Sequence, residues 1–190
     1  VDKSTTYRVR YIVDFVCNLR LYSKSEEKTM REKAKSCCFT GHRNLLADEE
    51  LDIDKLIKEI DQAVWGLRER GYDTFYVGGA LGFDTLAAQR LLKMRDYCPS
   101  WKMEVILVMP CRNQARGWMV TQKEAYRDIQ RRVDEVICLQ EEYTSGCMHV
   151  RNRFMVDHSS ACIAYCRETR GGTAYTVKYA RQKGLEMIML

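Results

Sequence analysis

Proline is nearly absent from this chain: Pro99 and Pro110 are the only two in 190 residues. With only eleven glycines beside them, each glycine cluster reads as punctuation, and a collagenous or disordered chain is excluded. Long apolar runs are missing too. Stretches such as Ser159 to Cys166 fall far short of the ~18 residues a membrane span requires. Near the start, the apolar run Tyr11 to Cys17 is interrupted by Asp14, so no secretory leader is expected. The nine cysteines are odd in number and contain no Cys-x-x-Cys. Cys37 adjoins Cys38, and Cys162 and Cys166 lie four apart in an apolar run. Neither a disulfide framework nor a zinc site has that spacing. Cys147-x-His149 is half of a metal site with no second half, so no metal is expected. Thiols in apolar runs are usually small buried hydrophobes, which suits a reducing cytosol. The expectation is a cytoplasmic protein without membrane contact.

Charge of one sign is also scarce once the chain is divided. Residues 1–37 hold nine Lys/Arg and five Asp/Glu, whereas residues 38–190 hold 22 and 21. The formal charge of +5 therefore belongs mostly to the start of the chain. The body is nearly neutral, so an anion site there must come from local arrangement rather than bulk charge. With 46% apolar and 30% charged residues, the composition is that of one globular domain with a short appendage. Residues 1–35 read as that appendage, basic and aromatic in patches before the polar stretch Ser23 to Thr29. A flexible extension, with Met30 as a natural start, and a short docked helix are both compatible with it.

From Ser36 onward, short β-rich runs alternate with helical patterns. The runs are Cys37–Thr40, Thr74–Val77, Glu104–Met109, Glu135–Leu139, Ala161–Cys166 and Glu186–Leu190. Leu56, Ile57, Ile60, Val64 and Leu67 recur at the 3.6-residue period, closed by Gly71. Further helices are expected at Asp84–Tyr97, Trp118–Arg132, Val150–His158 and Thr173–Lys183, the last capped by Gly184. No internal repeat or low-complexity segment is visible. The pattern predicts one α/β domain over residues 36–190, a Rossmann-like three-layer sandwich with a mostly parallel sheet of about six strands.

In an open parallel sheet, ligands bind outside the carboxyl ends of the strands. The segments arriving there are Gly41-His42-Arg43, Gly78-Gly79 through Gly82 to Asp84, Arg112-Asn113-Gln114, Arg151-Asn152-Arg153 and Arg170-Gly171-Gly172-Thr173. Glycines free the backbone to approach a ligand, and a helix start turns unpaired N–H groups and a positive end toward it. Two such starts flanked by arginines suit a phosphate or diphosphate, while Asp84 would accept from ribose hydroxyls. A tight strand-to-helix turn is the plain alternative for each glycine cluster. His42 and His149 are structural hydrogen-bonders or titrating groups, and His158 fits a helix end. Trp118, Tyr126 and Tyr165 read as core or rim, with Tyr143 or Tyr175 available to stack on a base. Cys111 is the one thiol in a basic loop.

Together, Cys37-Cys38-Phe39-Thr40-Gly41-His42-Arg43, Gly78-Gly79-Ala80-Leu81-Gly82-Phe83-Asp84, Arg151-Asn152-Arg153 and Gly171-Gly172-Thr173 resemble the YpsA-like family of the SLOG superfamily. The similarity covers about residues 36–190. It implies a Rossmann-like fold that binds a nucleotide or nucleotide-derived ligand, without fixing an activity. Two related families bracket the function. The DNA-processing protein A family, which binds single-stranded DNA, has a similar Gly-x-Asp turn, Arg-Asn-Arg helix start and later Gly-rich loop. Lonely-guy phosphoribohydrolases have a Met-His-x-Arg segment, matched by Met148-His149-Val150-Arg151, and then a Pro-Gly-Gly-x-Gly-Thr-x-x-Glu loop. Here Arg170 replaces the Pro, Ala174-Tyr175 replaces the Gly-Thr, and Lys178 stands where the catalytic Glu would be.

Three functions follow as expectations. The first is a sensor or regulator that binds a nucleotide or ADP-ribose-like ligand, requires no cofactor, and is a homodimer as its relatives imply. The site would comprise Gly41, His42, Arg43, Gly78, Gly79, Gly82, Asp84, Arg112, Arg151, Asn152, Arg153, Gly171, Gly172 and Thr173. The second is a module for single-stranded DNA. The third is an N-glycosidic or phosphoribosyl hydrolase in which Asp84 or Glu168 substitutes for the missing Glu.

Overall fold

A computed structural model of the chain describes residues 9–11, 33–48 and 50–190. The strands are β1 (Val9–Tyr11), β2 (Ser36–Gly41), β3 (Thr74–Val77), β4 (Glu104–Met109), β5 (Glu135–Cys138), β6 (Ala161–Tyr165) and β7 (Glu186–Met189). The helices are α1 (Ile53–Glu69), α2 (Phe83–Tyr97), α3 (Val120–Arg132), α4 (Cys147–Asp157) and α5 (Gly172–Gln182). The six strands expected from residue 36 onward are all present within one or two residues of their expected limits. β1 adds an edge strand from within the segment read as an appendage or docked helix, and the rest of that reading lies largely outside the described residues.

The strands form one sheet in the order β1-β5-β4-β3-β2-β6-β7, and every neighbouring pair is parallel. From β2 the chain steps one way to β3, β4 and β5, then crosses back to place β6 on the other side of β2. The order therefore reverses between β2 and β6. A crevice opens at such a switch point because the two adjoining connections leave on opposite faces.

The strand side chains alternate between two apolar layers, as the period of two demands. Cys37, Phe39, Phe75, Val77, Val105, Leu107 and Ile163 join the side chains of α1, α2 and α3 on one face. Cys38, Ile106, Val108, Cys162 and Ala164 join Met155, Val156, Val177 and Ala180 of α4 and α5 on the other. Both faces are covered, so these strands read as continuous apolar runs. Phe39 lies between Phe75 and Phe83, with ring centroids 6.4 and 6.5 Å away.

Local signals set the helix limits. In α1, Leu56, Ile60, Val64 and Leu67 form the buried stripe, and Asp52 caps the start by accepting from the Lys55 N–H at 3.0 Å. At its end, Gly71 N–H donates to the Arg68 carbonyl and Tyr72 N–H to the Leu67 carbonyl. The end of α5 repeats that pattern, with Gly184 N–H to Arg181 and Leu185 N–H to Ala180. This is the left-handed glycine closure that satisfies the last carbonyls of a helix. Among the described residues, no helix is long and apolar enough to cross a membrane.

Candidate functional site

Three helices begin at the carboxyl edge of the sheet behind glycines rather than capping side chains. Gly82 precedes α2, Gly146 precedes α4 and Gly171 precedes α5, and none of the three starts has a side-chain cap. Each leaves early N–H groups without the intrahelical partners that later turns supply. The start of α2 is fastened to the end of β2, because Phe83 N–H donates to the His42 carbonyl at 3.0 Å. The start of α5 is fastened to the same strand, because Thr173 Oγ1 donates to the Gly41 carbonyl at 2.9 Å. The switch-point crevice is thereby closed on two sides by helix ends tied to β2.

Between them lies a cleft of about 300 Å³, lined in part by Gly41, His42, Arg43, Asp84, Arg151, Asn152, Gly172 and Thr173. Eight of the residues expected from sequence thus meet in one place. Its floor is an ion pair: Arg151 Nη1 lies 3.1 Å from Asp84 Oδ2, and both side chains are less than a tenth exposed. Burial pushes the Asp84 carboxyl above the usual carboxylate range, opposed by the Arg151 guanidinium and a backbone hydrogen bond from Ala80. Arg151 Nε is buried without a hydrogen-bond partner. A guanidinium has five N–H donors and no acceptor, so this one retains unused donor capacity.

Two glycines permit this arrangement. A Cβ on Gly78 would sit 1.3 Å from Arg151 Nη1, so only glycine lets the guanidinium lie against the end of β3. Gly82 has φ of 77°, and its Cβ would sit 2.2 Å from the Arg43 carbonyl oxygen. Behind the turn, Gln114 Nε2 donates to the Gly79 carbonyl at 2.9 Å. Tyr126 is buried there with an unpartnered hydroxyl, and desolvation raises its pKa.

Other expected residues lie elsewhere. Arg112 is half-exposed and its Nε pairs with Glu141 Oε2 at 2.9 Å, away from the cleft. Arg153 Nη1 donates to the Tyr175 hydroxyl at 3.2 Å on the outer side of α4 and α5, where the His149 ring meets Tyr175 edge-on. Asn152, which does line the cleft, also links α4 to α5, its Nδ2 donating to Thr176 Oγ1 at 2.8 Å. Glu168 lines a neighbouring cleft rather than the one holding Asp84, so the two carboxylates considered for catalysis are separated. Cys111 is fully buried, and burial pushes its thiol up to about 11. The eight described cysteines are free thiols. Among the described residues, no cluster of metal-ligating side chains occurs.

The sequence reading held Ala80, Leu81 and Met148 in its motifs but not in the expected site, and they line the same cleft. It missed Asp48, Tyr165 and Arg167 as a group: the Tyr165 hydroxyl donates to Asp48 Oδ2 at 2.6 Å, and Arg167 Nε lies 3.8 Å from that oxygen. The β-rich run marked Tyr165 only as core. Asp48 follows a short 3-10 turn, Leu45–Ala47, that carries no glycine or repeated polar pattern.

The family model of the YspA SLOG family, named YpsA, matches residues 37–188. The chain belongs to this family. Among curated proteins, it is similar to YoqJ, an SPbeta prophage-derived protein of Bacillus subtilis strain 168. The two are 29% identical over 141 residues, which is 68% of this chain and 80% of YoqJ. A UPF0398 protein of Halalkalibacterium halodurans is 24% identical over 152 residues, 76% of this chain and 79% of that protein. Among solved structures, the chain resembles DNA processing protein A of Helicobacter pylori, whose structure concerns single-stranded DNA binding. The TM-score is 0.56 at 16% identity, over 85% of this chain and 67% of that one. DNA processing protein A of Streptococcus pneumoniae gives 0.55 at 16% identity, over 83% of this chain and half of that one. At such identity the structural likeness shows the fold.

Proposed function

We propose that this protein binds a nucleotide or nucleotide-derived ligand through its phosphate at the β2–β6 switch point, and acts as a sensor or regulator. The observation that carries the reading is Arg151: it is buried, paired to Asp84 through one nitrogen, and left with an unpartnered Nε. The uncapped α5 start beside it supplies backbone N–H groups and the positive end of a helix. Arg43 stands exposed on the rim of the same cleft. In this reading Asp84 orients Arg151 rather than touching the ligand. A cytoplasmic location and a homodimer complete the proposal, the latter tested by light scattering at micromolar concentration.

A second reading, binding of single-stranded DNA, is favoured by the likeness to the two DNA processing proteins and by the outer surface formed by His149, Arg153 and Tyr175. It predicts steep loss of affinity with salt, since each neutralised phosphate releases counterions. The two separate in a thermal-shift panel on the full chain, with AMP, NAD, ADP-ribose and an oligo-dT at low and moderate salt. A ligand at ~100 times its dissociation constant adds about 2.7 kcal/mol. A salt-tolerant shift with a small nucleotide supports the first reading. A shift with oligo-dT alone that collapses with salt supports the second.

A further inference from the structure

The carboxylate that the sequence offered to a ribose, Asp84, is committed to Arg151, and another stands across His42. The segment Gly41-His42-Arg43 leaves β2 between two clefts. One is the Arg151 cleft; the other, of about 420 Å³, is lined in part by His42, Asp48, Glu50, Tyr165, Arg167 and Glu168. His42 lines both. The charges of the two clefts are opposite. The first sets Arg43 and Arg151 against Asp84 at a helix start, whereas the second sets Asp48, Glu50 and Glu168 against Arg167. A phosphate entering the second would meet carboxylates; a group rich in O–H donors would meet acceptors.

The second cleft is held from the core. Tyr165 is 1% exposed and its ring stacks on Phe83, the first residue of α2, at 6.0 Å. Its hydroxyl donates to Asp48 Oδ2 at 2.6 Å, while the Glu50 backbone N–H donates to Asp48 Oδ1 at 3.2 Å. Each Asp48 oxygen has a fixed partner and retains acceptor capacity, since a carboxylate offers about four lone-pair sites. His42 Nε2 accepts from the Arg167 backbone N–H at 2.8 Å, so the neutral ring carries its proton on Nδ1 as a donor. The wall shared by the two clefts is thereby fixed as well.

We propose that the second cleft is a sugar subsite for a phosphorylated sugar or nucleoside phosphate. The phosphate lies at Arg151 and the α5 start, the ligand passes His42, and its vicinal hydroxyls donate to Asp48, with Glu168 as the further acceptor. This rests on reading the Arg151 cleft as the phosphate site, and it deepens that reading by naming where the body of the ligand goes. It also sets a direction: a polyanion cannot continue from the first cleft through the second without bringing phosphates against Asp48 and Glu168.

The test is calorimetric titration of the full chain with inorganic phosphate, ribose 5-phosphate and 2-deoxyribose 5-phosphate. In the wild type, ribose 5-phosphate is expected to bind at least tenfold tighter than the other two, because a site built for hydroxyls is left unpaired by their absence. Asp48→Asn, which keeps an acceptor for Tyr165, is expected to weaken ribose 5-phosphate about tenfold and to change inorganic phosphate less than twofold. Equal affinity of ribose and 2-deoxyribose 5-phosphates for the wild type overturns the sugar subsite, even if the variant fails to fold. An Asp48→Asn loss shared equally with inorganic phosphate overturns it too. No binding of any of the three to the wild type overturns the phosphate site itself, and the subsite with it.

Discussion

Replacing Arg151 by alanine should cost stability in a way that depends on pH. The guanidinium is 4% exposed and is the ion-pair partner of an equally enclosed Asp84. Removing it leaves a buried carboxylate facing a cavity, a change that typically costs about 3–5 kcal/mol. At a urea m-value near 2 kcal/mol/M, that moves the unfolding midpoint by roughly 2 M. Burial already holds Asp84 above its ordinary range, and loss of Arg151 removes the charge that opposes it. An acid raised in the fold binds more protons folded than unfolded, so its contribution favours the fold below the unfolded carboxyl range and is lost as pH climbs through the raised value. The penalty of Arg151→Ala should therefore be largest at pH 7.5 and shrink toward pH 5, by about 1.4 kcal/mol for each unit of additional rise. Adding Asp84→Asn to Arg151→Ala should recover most of the loss at pH 7.5. Asp84→Asn alone should also destabilise the fold at both pH values, because it leaves the buried Arg151 guanidinium without its counter-charge. Urea titrations followed by circular dichroism at both pH values measure all four proteins. Equal penalties at pH 5 and 7.5, with no recovery in the double variant, would show that the Asp84 charge is not what makes the loss of Arg151 costly.

Gly78→Ala places a methyl group where Arg151 Nη1 now lies, so it should abolish stabilisation by AMP in a thermal-shift assay while the unliganded protein still melts cooperatively. Gly82→Ala combines a left-handed φ with a backbone clash against Arg43, and its melting point should fall by an amount matching a loss of ~1–3 kcal/mol or more. Phe39→Ala empties the aromatic contact between β2, β3 and α2, and chemical denaturation should register about 3–5 kcal/mol. With its thiol held near 11 and fully buried, Cys111 should resist iodoacetamide at pH 8 in the native protein and react once urea unfolds it, as read by peptide mass spectrometry.

The parallel architecture was legible because both faces of the sheet are covered. Runs such as Glu104–Met109 are then apolar at nearly every position, and α1 carries a clear 3.6-residue stripe closed by Gly71, as Gly184 closes α5. The meeting of Gly41, Arg43, Asp84, Arg151 and Gly172 was legible for a topological reason: in a parallel sheet every strand delivers its following loop to the same edge. What sequence order does not encode is pairing within that edge. Arg112 and Arg151 both follow that edge, yet Glu141 holds one at the surface while Gly78 makes room for the other beneath it. The ribose role assigned to Asp84 assumed an exposed carboxylate, and its burial follows from where α2 packs. Asp48 gave no signal because its partners, Tyr165 and Arg167, lie more than a hundred residues away. The strand β1 was equally silent, since three residues carry no period.

Phosphate binding at Arg151 is read out by calorimetric titration of AMP into the wild type and Gly78→Ala at 50 and 200 mM salt, with an oligo-dT titrated in parallel. Saturable one-site binding of AMP to the wild type is expected, weakened only modestly by salt, with no detectable binding to Gly78→Ala. Absence of AMP binding to the wild type, together with oligo-dT binding that falls steeply with salt and survives Gly78→Ala, would contradict phosphate binding at Arg151.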